Sequence, residues 1–296
     1  MVNKTEYLNG RIVNCAKIRE EILEEVRSEI DALGCIPTLA IISVGDDDAS
    51  AVYVNNKIKT CHSVGIHAVH IPMGAESTQG DVARAIKDSS IFYDAVMLQL
   101  PIPKHLDANS LINLIPQDKD VDGLTDLNMG MLVNNRPNAI VPATAQGVLE
   151  IIQRFKGDDL SGVNIATVNR SQLIGKPLQA ILTNNNGTAT VCHSKTALPS
   201  QWGKADVIVT GIGKPKYFDN FGSFEGELII DCGICRDQNG KLCGDIDTES
   251  VLKYNETAYI TPVPRGVGLL TVACLMKNVL QCYKMQAGEV YNTWQV

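Results

Sequence analysis

Several things are scarce or missing in this 296-residue chain, and each narrows what it can be. No apolar segment reaches the roughly 18 residues that a membrane-spanning helix requires. The opening residues, MVNKTEYLNGR, lack the apolar core of a secretory signal. There is no Lys/Arg-rich run, and a formal net charge of -7 argues against a nucleic-acid footprint. Nine cysteines are an odd number, and without scaffold-like spacing they point to a reduced, cytoplasmic compartment. A soluble protein with neither membrane nor nucleic acid as partner is expected. Asn186-Gly187-Thr188 is then turn composition and nothing more.

What is present is the composition of a globular protein: 45% apolar residues, 20% charged and 24 glycines. The length exceeds what one hydrophobic core usually organises, so two domains are expected. The chain reads as arranged around Ala49 to Lys57 (ASAVYVNNK). An apolar run, Leu39 to Val44, ends in Gly45-Asp46-Asp47-Asp48. Serine or aspartate at such a boundary accepts the first free backbone N–H groups of a helix. With a helix start near Ser50, Tyr53 and Lys57 stand at i and i+4 and share a face. Burial would lower the lysine pKa from about 10.4 toward neutrality, making it a usable acid or base. On this stretch alone the plainer alternative stays open, with Tyr53 in the core and Lys57 solvated.

Ile18, Ile22, Leu23, Val26, Ile30 and Leu33 define an amphipathic helix ending at Gly34. Strand-to-helix steps follow. Thr38–Val44 leads into the helix of Tyr53 and Lys57, and His67–Pro72 precedes a helix at Gln79–Ser89. Asp94–Leu100 precedes a helix through Leu106, Leu111 and Leu114. Such alternation means βαβ units and a mostly parallel sheet, with ligands beyond the carboxyl ends of the strands. Gln99 falls on that edge. Asp118, Asp120, Asp122 and Gly123 imitate the start of an EF-hand loop, but Met129 stands where a bidentate glutamate is required, so no metal is expected. These are either solvated turn carboxylates or, at Asp122, a grip on a heterocycle with adjacent N–H donors. A boundary loop is read at Asn134 to Pro137, and a helix of Val148, Leu149, Ile151, Ile152 and Phe155 enters the second domain.

There, Val163–Asn169 is a strand followed by Arg170-Ser171-Gln172-Leu173-Ile174-Gly175-Lys176-Pro177, with Pro177 suited to a first helical turn. Strand, polar loop and helix N-terminus make an anion site suited to a dinucleotide phosphate. The GxGxxG fingerprint is absent. Strands at Ala189–Cys192, Asp206–Thr210 and Leu228–Ile230 each end in polar or glycine residues, as in a nucleotide-binding domain. Cys232-Gly233-Ile234-Cys235 has no second CxxC, so buried structural cysteines are expected in place of a zinc or redox site. Tyr259–Thr271 reads as a rigid loop before a returning C-terminal helix.

Taken in order, GDDDASAVYVNNK, VMLQLPIPKH, PQDKDVDG, NRSQLIGKP, TVCHSKT, ADVIVTGIGKP, IIDCGI with GKLCGDID, and ITPVPRGVG resemble the methylenetetrahydrofolate dehydrogenase/methenyltetrahydrofolate cyclohydrolase family over almost the whole chain. The resemblance implies a two-domain α/β protein: a folate-binding catalytic domain (1–140, with a returning helix at 271–296) and a Rossmann-type NAD(P)-binding domain (141–270). It places the active site in the cleft between them and implies a homodimer. The implied reactions are oxidation of 5,10-methylenetetrahydrofolate by NADP+ and hydrolysis of the methenyl product to 10-formyltetrahydrofolate. Lys57 is then the central acid/base, Tyr53 orients the folate ring, Gln99 hydrogen-bonds near the lysine and Asp122 grips the pterin. Pro264 and Gly268 join the substrate contacts. Asn169, Arg170, Ser171, Ser194, Gly213, Ile234 and Thr271 would meet the cofactor. Arg170 with Ser194 would hold the 2′-phosphate, favouring NADP over NAD.

The chain departs from the family pattern at several points. Asn169 replaces the glycine before Arg-Ser, and Ala143 and Ala145 replace a cysteine and a proline. Leu124-Thr125-Asp126 replaces Phe-His-Pro. Arg265 and Leu269 replace the glycine and proline of a glycine loop. These keep two alternatives open: a dehydrogenase without hydrolysis, or a folate- or nucleotide-binding homologue without turnover.

Overall fold

The amphipathic repeat that opens the chain forms the 19-residue helix α1 (Cys15–Leu33), with Ile18, Ile22, Leu23, Val26 and Ile30 all buried. It stops at Gly34, whose φ of 59° is the left-handed conformation that ends helices and that glycine adopts without a Cβ clash. The computed structural model describes residues 4–45, 48–197, 203–222 and 224–288. The expected Asp46-Asp47 turn and the tail beyond Gly288 lie outside these. The chain divides into two compact units. One is Glu21–Ala143 with the chain from Val272; the other is the chain up to Glu20 with Thr144–Thr271.

The first unit holds three parallel strands, β3 (Thr38–Val44), β4 (His67–Met73) and β5 (Ala95–Leu98), in the order β4-β3-β5. Helix α2 (Asp48–Ser63) joins β3 to β4, and α3 (Gln79–Phe92) joins β4 to β5. Thr78 and Asp81 close a reciprocal capping box at the start of α3. The core is built on Ala40, Ile42, Val96 and Leu98 from the strands and on Val82 and Ile86 from α3. Truncating Ile42, fully buried, to alanine would cost about 2–5 kcal/mol. The helix expected through Leu114 is only the five-residue α4 (Ala108–Ile112), capped by Asp107. A further helix, α5 (Asp126–Val133), starts on a Thr125 cap where a turn was expected.

The second unit is a seven-stranded sheet in the order β1-β2-β12-β9-β8-β6-β7. Its parallel part comprises β6 (Asn164–Val168), β7 (Thr188–Cys192), β8 (Val207–Thr210), β9 (Leu228–Asp231) and β12 (Tyr259–Ile260). The antiparallel pair β1 (Leu8–Asn9) and β2 (Ile12–Val13) joins this edge through Ile12 opposite Ile260. That pairing is why the first residues, expected with the catalytic domain, group here. Helix α6 (Ala143–Lys156) leads into the sheet, α7 (Gly175–Asn184) links β6 to β7, and the hairpin β10 (Cys235–Arg236)/β11 (Leu242–Cys243) follows β9. After it come α8 (Thr248–Tyr254) and α9 (Val267–Gln286), whose later turns belong to the first unit. Phe218, Phe221 and Phe224 pack with Ile208, Ile229 and Ile260 as the core on one face. In both sheets the first strand stands between the second and the third. The crevice where successive connections diverge is therefore at β3/β5 in one and β6/β8 in the other, the usual ligand position of open parallel sheets.

Candidate active site

In the first unit, Lys57 of α2 reaches the end of β5. Its Nζ donates to Gln99 Oε1 at 2.9 Å and lies 3.8 Å from Met97 Sδ. Gln99 is set in place twice: its backbone N–H continues the ladder to Ile42 O at 2.7 Å, and its side-chain Nε2 donates to Leu100 O at 2.7 Å. The second bond decides which way the amide faces, so an oxygen meets the lysine. Burial lowers the Lys57 pKa, while the nearby Asp122 carboxylate and Cys61 act in the opposite sense. Burial pushes the Cys61 thiol, one turn along α2, up to about 12, so it supplies no competing charge near neutrality. The solvated-lysine alternative therefore does not hold.

Asp122 is half-buried, and burial pushes its carboxyl up to about 6, with Lys57 pulling down and Asp120 pushing up. Among the described residues it forms no hydrogen bond or ion pair, so both oxygens remain available to a ligand. Its position is enforced from beneath. Asp120, 1% exposed, accepts from Thr125 N at 2.9 Å and Asn128 Nδ2 at 2.8 Å. Asn128 in turn accepts from Gln117 Nε2 at 2.8 Å and Ile140 N at 3.1 Å. Gly123 (φ 64°) lies so close to Ile140 that a Cβ would stand 2.5 Å from its carbonyl oxygen. From α9, the buried Asn278 Nδ2 donates to Val121 O and Val141 O, both at 2.9 Å. Neither Asn128 nor Asn278 was singled out from the sequence. A lone asparagine in the apolar run of α9 was the available signal.

Tyr53, one turn before Lys57 on α2, is 47% exposed. It is therefore outside the core, with its ring accessible to a ligand. Asp118, Asp120 and Asp122 gather no metal-binding cluster, and none exists among the described residues.

In the second unit the expected cofactor residues fall at strand ends. Arg170 and Ser171 are exposed after β6, and Ser194 is exposed after β7. Arg170 has no ion pair or hydrogen bond among the described residues. Gly213 (φ 72°) follows β8, Ile234 follows β9 and is 55% exposed, and Thr271 lies in α9, 3.2 Å from Thr144 Oγ1. The Asn169 amide is committed within the protein: Oδ1 accepts from Ser171 N at 2.7 Å and Gly175 N at 3.1 Å, and Nδ2 donates to Gly211 O. Among the described residues the Arg170 guanidinium has no ion pair and the Ser194 hydroxyl no hydrogen bond, and such groups at adjacent strand ends suit a phosphorylated nucleotide. Pro264 is exposed in the loop of Arg265, whose φ of 74° is the left-handed region that favours glycine, and Gly268 is exposed in the first turn of α9. None of the nine cysteines forms a disulfide; Cys243 is buried, but Cys232 and Cys235 are only partly so, which corrects the expectation of buried cysteines at that pair.

Residues 12–122 match the catalytic-domain model described as tetrahydrofolate dehydrogenase/cyclohydrolase, and residues 142–287 match its NAD(P)-binding-domain counterpart. The chain is 38% identical over 282 residues to the bifunctional protein FolD of Agathobacter rectalis, covering 94% of this chain and 98% of that protein. Among solved structures, the bifunctional methylenetetrahydrofolate dehydrogenase/cyclohydrolase FolD of Campylobacter jejuni superposes with a TM-score of 0.84 at 32% identity, over 92% of this chain and 96% of that one. The Trypanosoma brucei methylenetetrahydrofolate dehydrogenase-cyclohydrolase, solved with NADP cofactor and an inhibitor, gives 0.81 at 30% identity over 95% and 98%.

Proposed function

This chain belongs to the tetrahydrofolate dehydrogenase/cyclohydrolase family, and we propose that it oxidises 5,10-methylenetetrahydrofolate with NADP+ and hydrolyses the methenyl product to 10-formyltetrahydrofolate. The observation that carries this reading is the half-buried Lys57, its pKa lowered by burial and its amine hydrogen-bonded to a neutral amide.

Bound NADP+ accepts hydride from the methylene carbon; the protein's part in that step is to hold the reacting rings in range. Hydrolysis asks more of the chain. Water must add to the carbon of a cationic amidine, lose a proton, and the ring nitrogen that departs must gain one. A neutral Lys57 accepts the proton from the attacking water, does not repel the cation, and returns a proton to the leaving nitrogen. Gln99 keeps the amine aimed without holding it charged. Asp122, with both oxygens open, accepts from the adjacent N–H donors of the pterin, and the accessible ring of Tyr53 covers the folate.

The exposed Arg170 and Ser194 hold the 2′-phosphate and favour NADP over NAD, with Ser171, Gly213, Ile234 and Thr271 lining the remainder of the nucleotide site. A homodimer agrees with the family, and a reducing cytoplasm agrees with nine cysteines that form no disulfide. The residue roles are tested by supplying methylenetetrahydrofolate with NADP+ or NAD+ and following reduced cofactor and methenyl product together. Reduced cofactor with no accumulating methenyl compound is the expected result. The left-handed Arg265 favours a second reading, dehydrogenation without hydrolysis, and accumulating methenyl product would establish it.

A further inference from the structure

At the carboxyl end of the second sheet, the loops after β6, β8 and β9 are tied together by three polar side chains. Asn169 takes the N–H groups of Ser171 and Gly175 and reaches across the β6/β8 crevice to the Gly211 carbonyl. Asp245, fully buried, accepts from the backbone N–H groups of Ile212 and of Lys214, the latter at 2.9 Å. Asp231 accepts from Gly233 N at 2.8 Å, Asp245 N at 3.2 Å and Ile246 N at 3.0 Å. Two glycines make the room. A Cβ on Gly233 would stand 2.4 Å from Asp245 Oδ1, and one on Gly244 would stand 1.9 Å from Asp231 Oδ2. A linked path thus runs from the phosphate loop through Gly211, Ile212, Asp245 and Asp231 to Gly233.

We propose that Asp231, Asp245 and Asn169 are positioning residues for the dinucleotide, holding the loops that end β6, β8 and β9 in the single arrangement that receives it. The inference rests on the cofactor reading above. Burying two carboxylates together is costly, and apolar side chains of similar volume pack such a space at least as well. What carboxylates add is the capacity to accept several N–H groups at once. Here the N–H groups come from loops beside the expected nucleotide contacts Gly213 and Ile234.

The arrangement carries a pH dependence. Burial pushes the Asp231 carboxyl up to about 6, with Asp245 beside it adding to the rise. The other groups facing the pair are the thiols of Cys232, Cys235 and Cys243, all raised mainly by burial; Cys15 neighbours Cys232, and Lys216 and Asp237 neighbour Cys243. Near pH 6, therefore, Asp231 changes charge. Its protonation puts an O–H where an N–H donor now points, and loosens Gly233 and Ile246.

The test is NADP+ affinity, read by fluorescence titration in wild type and in Asp231→Asn between about pH 5 and pH 8. The wild-type dissociation constant is expected to rise below about pH 6 by more than that of the variant; the cofactor's 2′-phosphate titrates in the same range but is common to both. At about pH 7.5, Asp231→Asn and Asp245→Asn are each expected to weaken binding about tenfold. Dehydrogenase rate at limiting cofactor should fall relative to the cyclohydrolase rate of the same sample, since hydrolysis of supplied methenyl substrate uses no nucleotide. Parallel pH profiles with unchanged constants overturn the proposal. If the buried variants do not fold, Asn169→Ala in its half-buried loop carries the test, and an unchanged constant there overturns it equally. A wild type that binds NADP+ yet turns over no folate would remove the proposed function and leave this inference standing.

Discussion

Lys57 Nζ donates to Gln99 Oε1 at 2.9 Å, and the same amide is held from its other end by donation to the Leu100 carbonyl at 2.7 Å. A neutral acceptor aims the amine without fixing its charge. Gln99→Glu puts a carboxylate at that position and holds Lys57 protonated. Cyclohydrolase activity near pH 7.5 is expected to fall about tenfold or more, and the acidic limb of its pH–rate profile to move to higher pH. A profile that does not move would show that Gln99 has no electrostatic part in the reaction.

Lys57→Met removes the amine proposed to carry the proton. Hydrolysis is expected to disappear while NADP+ binding and cooperative unfolding persist, with hydrolysis followed by the decay of methenyl absorbance. The variant also has a stability signature. The folded pKa of Lys57 is below 10.5, so the unfolded chain binds the extra proton between the two values and stability rises with pH across that window. The penalty is fully present below the folded pKa. The methionine variant should therefore gain more in Tm at about pH 6 than at about pH 10, and an equal gain at both would contradict the lowered pKa.

Asp122→Asn has the opposite dependence. The Asp122 pKa is raised to about 6 from 3.8, so the native state binds the proton more tightly and stability falls as pH rises through that interval. At about pH 8 the ionised carboxylate costs stability that asparagine does not. Thermal melts should show the variant gaining on wild type at about pH 8 but not at about pH 3.5. Its KM for folate should rise about tenfold, through loss of the charged acceptor proposed for the pterin.

Arg265→Gly relieves a side chain from left-handed backbone (φ 74°) on an exposed loop. The gain is partly offset by the greater freedom glycine adds to the unfolded chain. A Tm increase of about 1–3 °C is expected. A fall in Tm would mean that the guanidinium contributes more than the backbone strain removes.

Much of this was readable in the residues because the carrying elements are strongly patterned. The apolar runs of β3 and β8 and the repeat in α1 leave little choice of structure, and Gln99 follows β5 directly. Other elements carry no such pattern. α5 contains Asn128 and Gly130, poor helix formers, and exists because Thr125 caps it and Asn128 is held by Asp120 and Gln117. The hairpin of β10 and β11 has two residues per strand, too few for alternation to register. Helix α4 stops at Ile112 although the leucine spacing continues to Leu114, because Asn113 closes it and the chain turns toward Pro116. Asp245 and Asn278 act through backbone groups distant in sequence, so local spacing gives no sign of what they hold.

The committed amide of Asn169 bears on how a ligand is received. A glycine in its place would leave the phosphate loop to settle only on contact, and the freedom lost would be charged against affinity at that moment. With Asn169 already joining Ser171, Gly175 and Gly211, that freedom is lost once, when the chain folds. The loop proposed to receive the nucleotide is preorganised, and association there should carry a smaller entropic penalty than in a protein with glycine at that position.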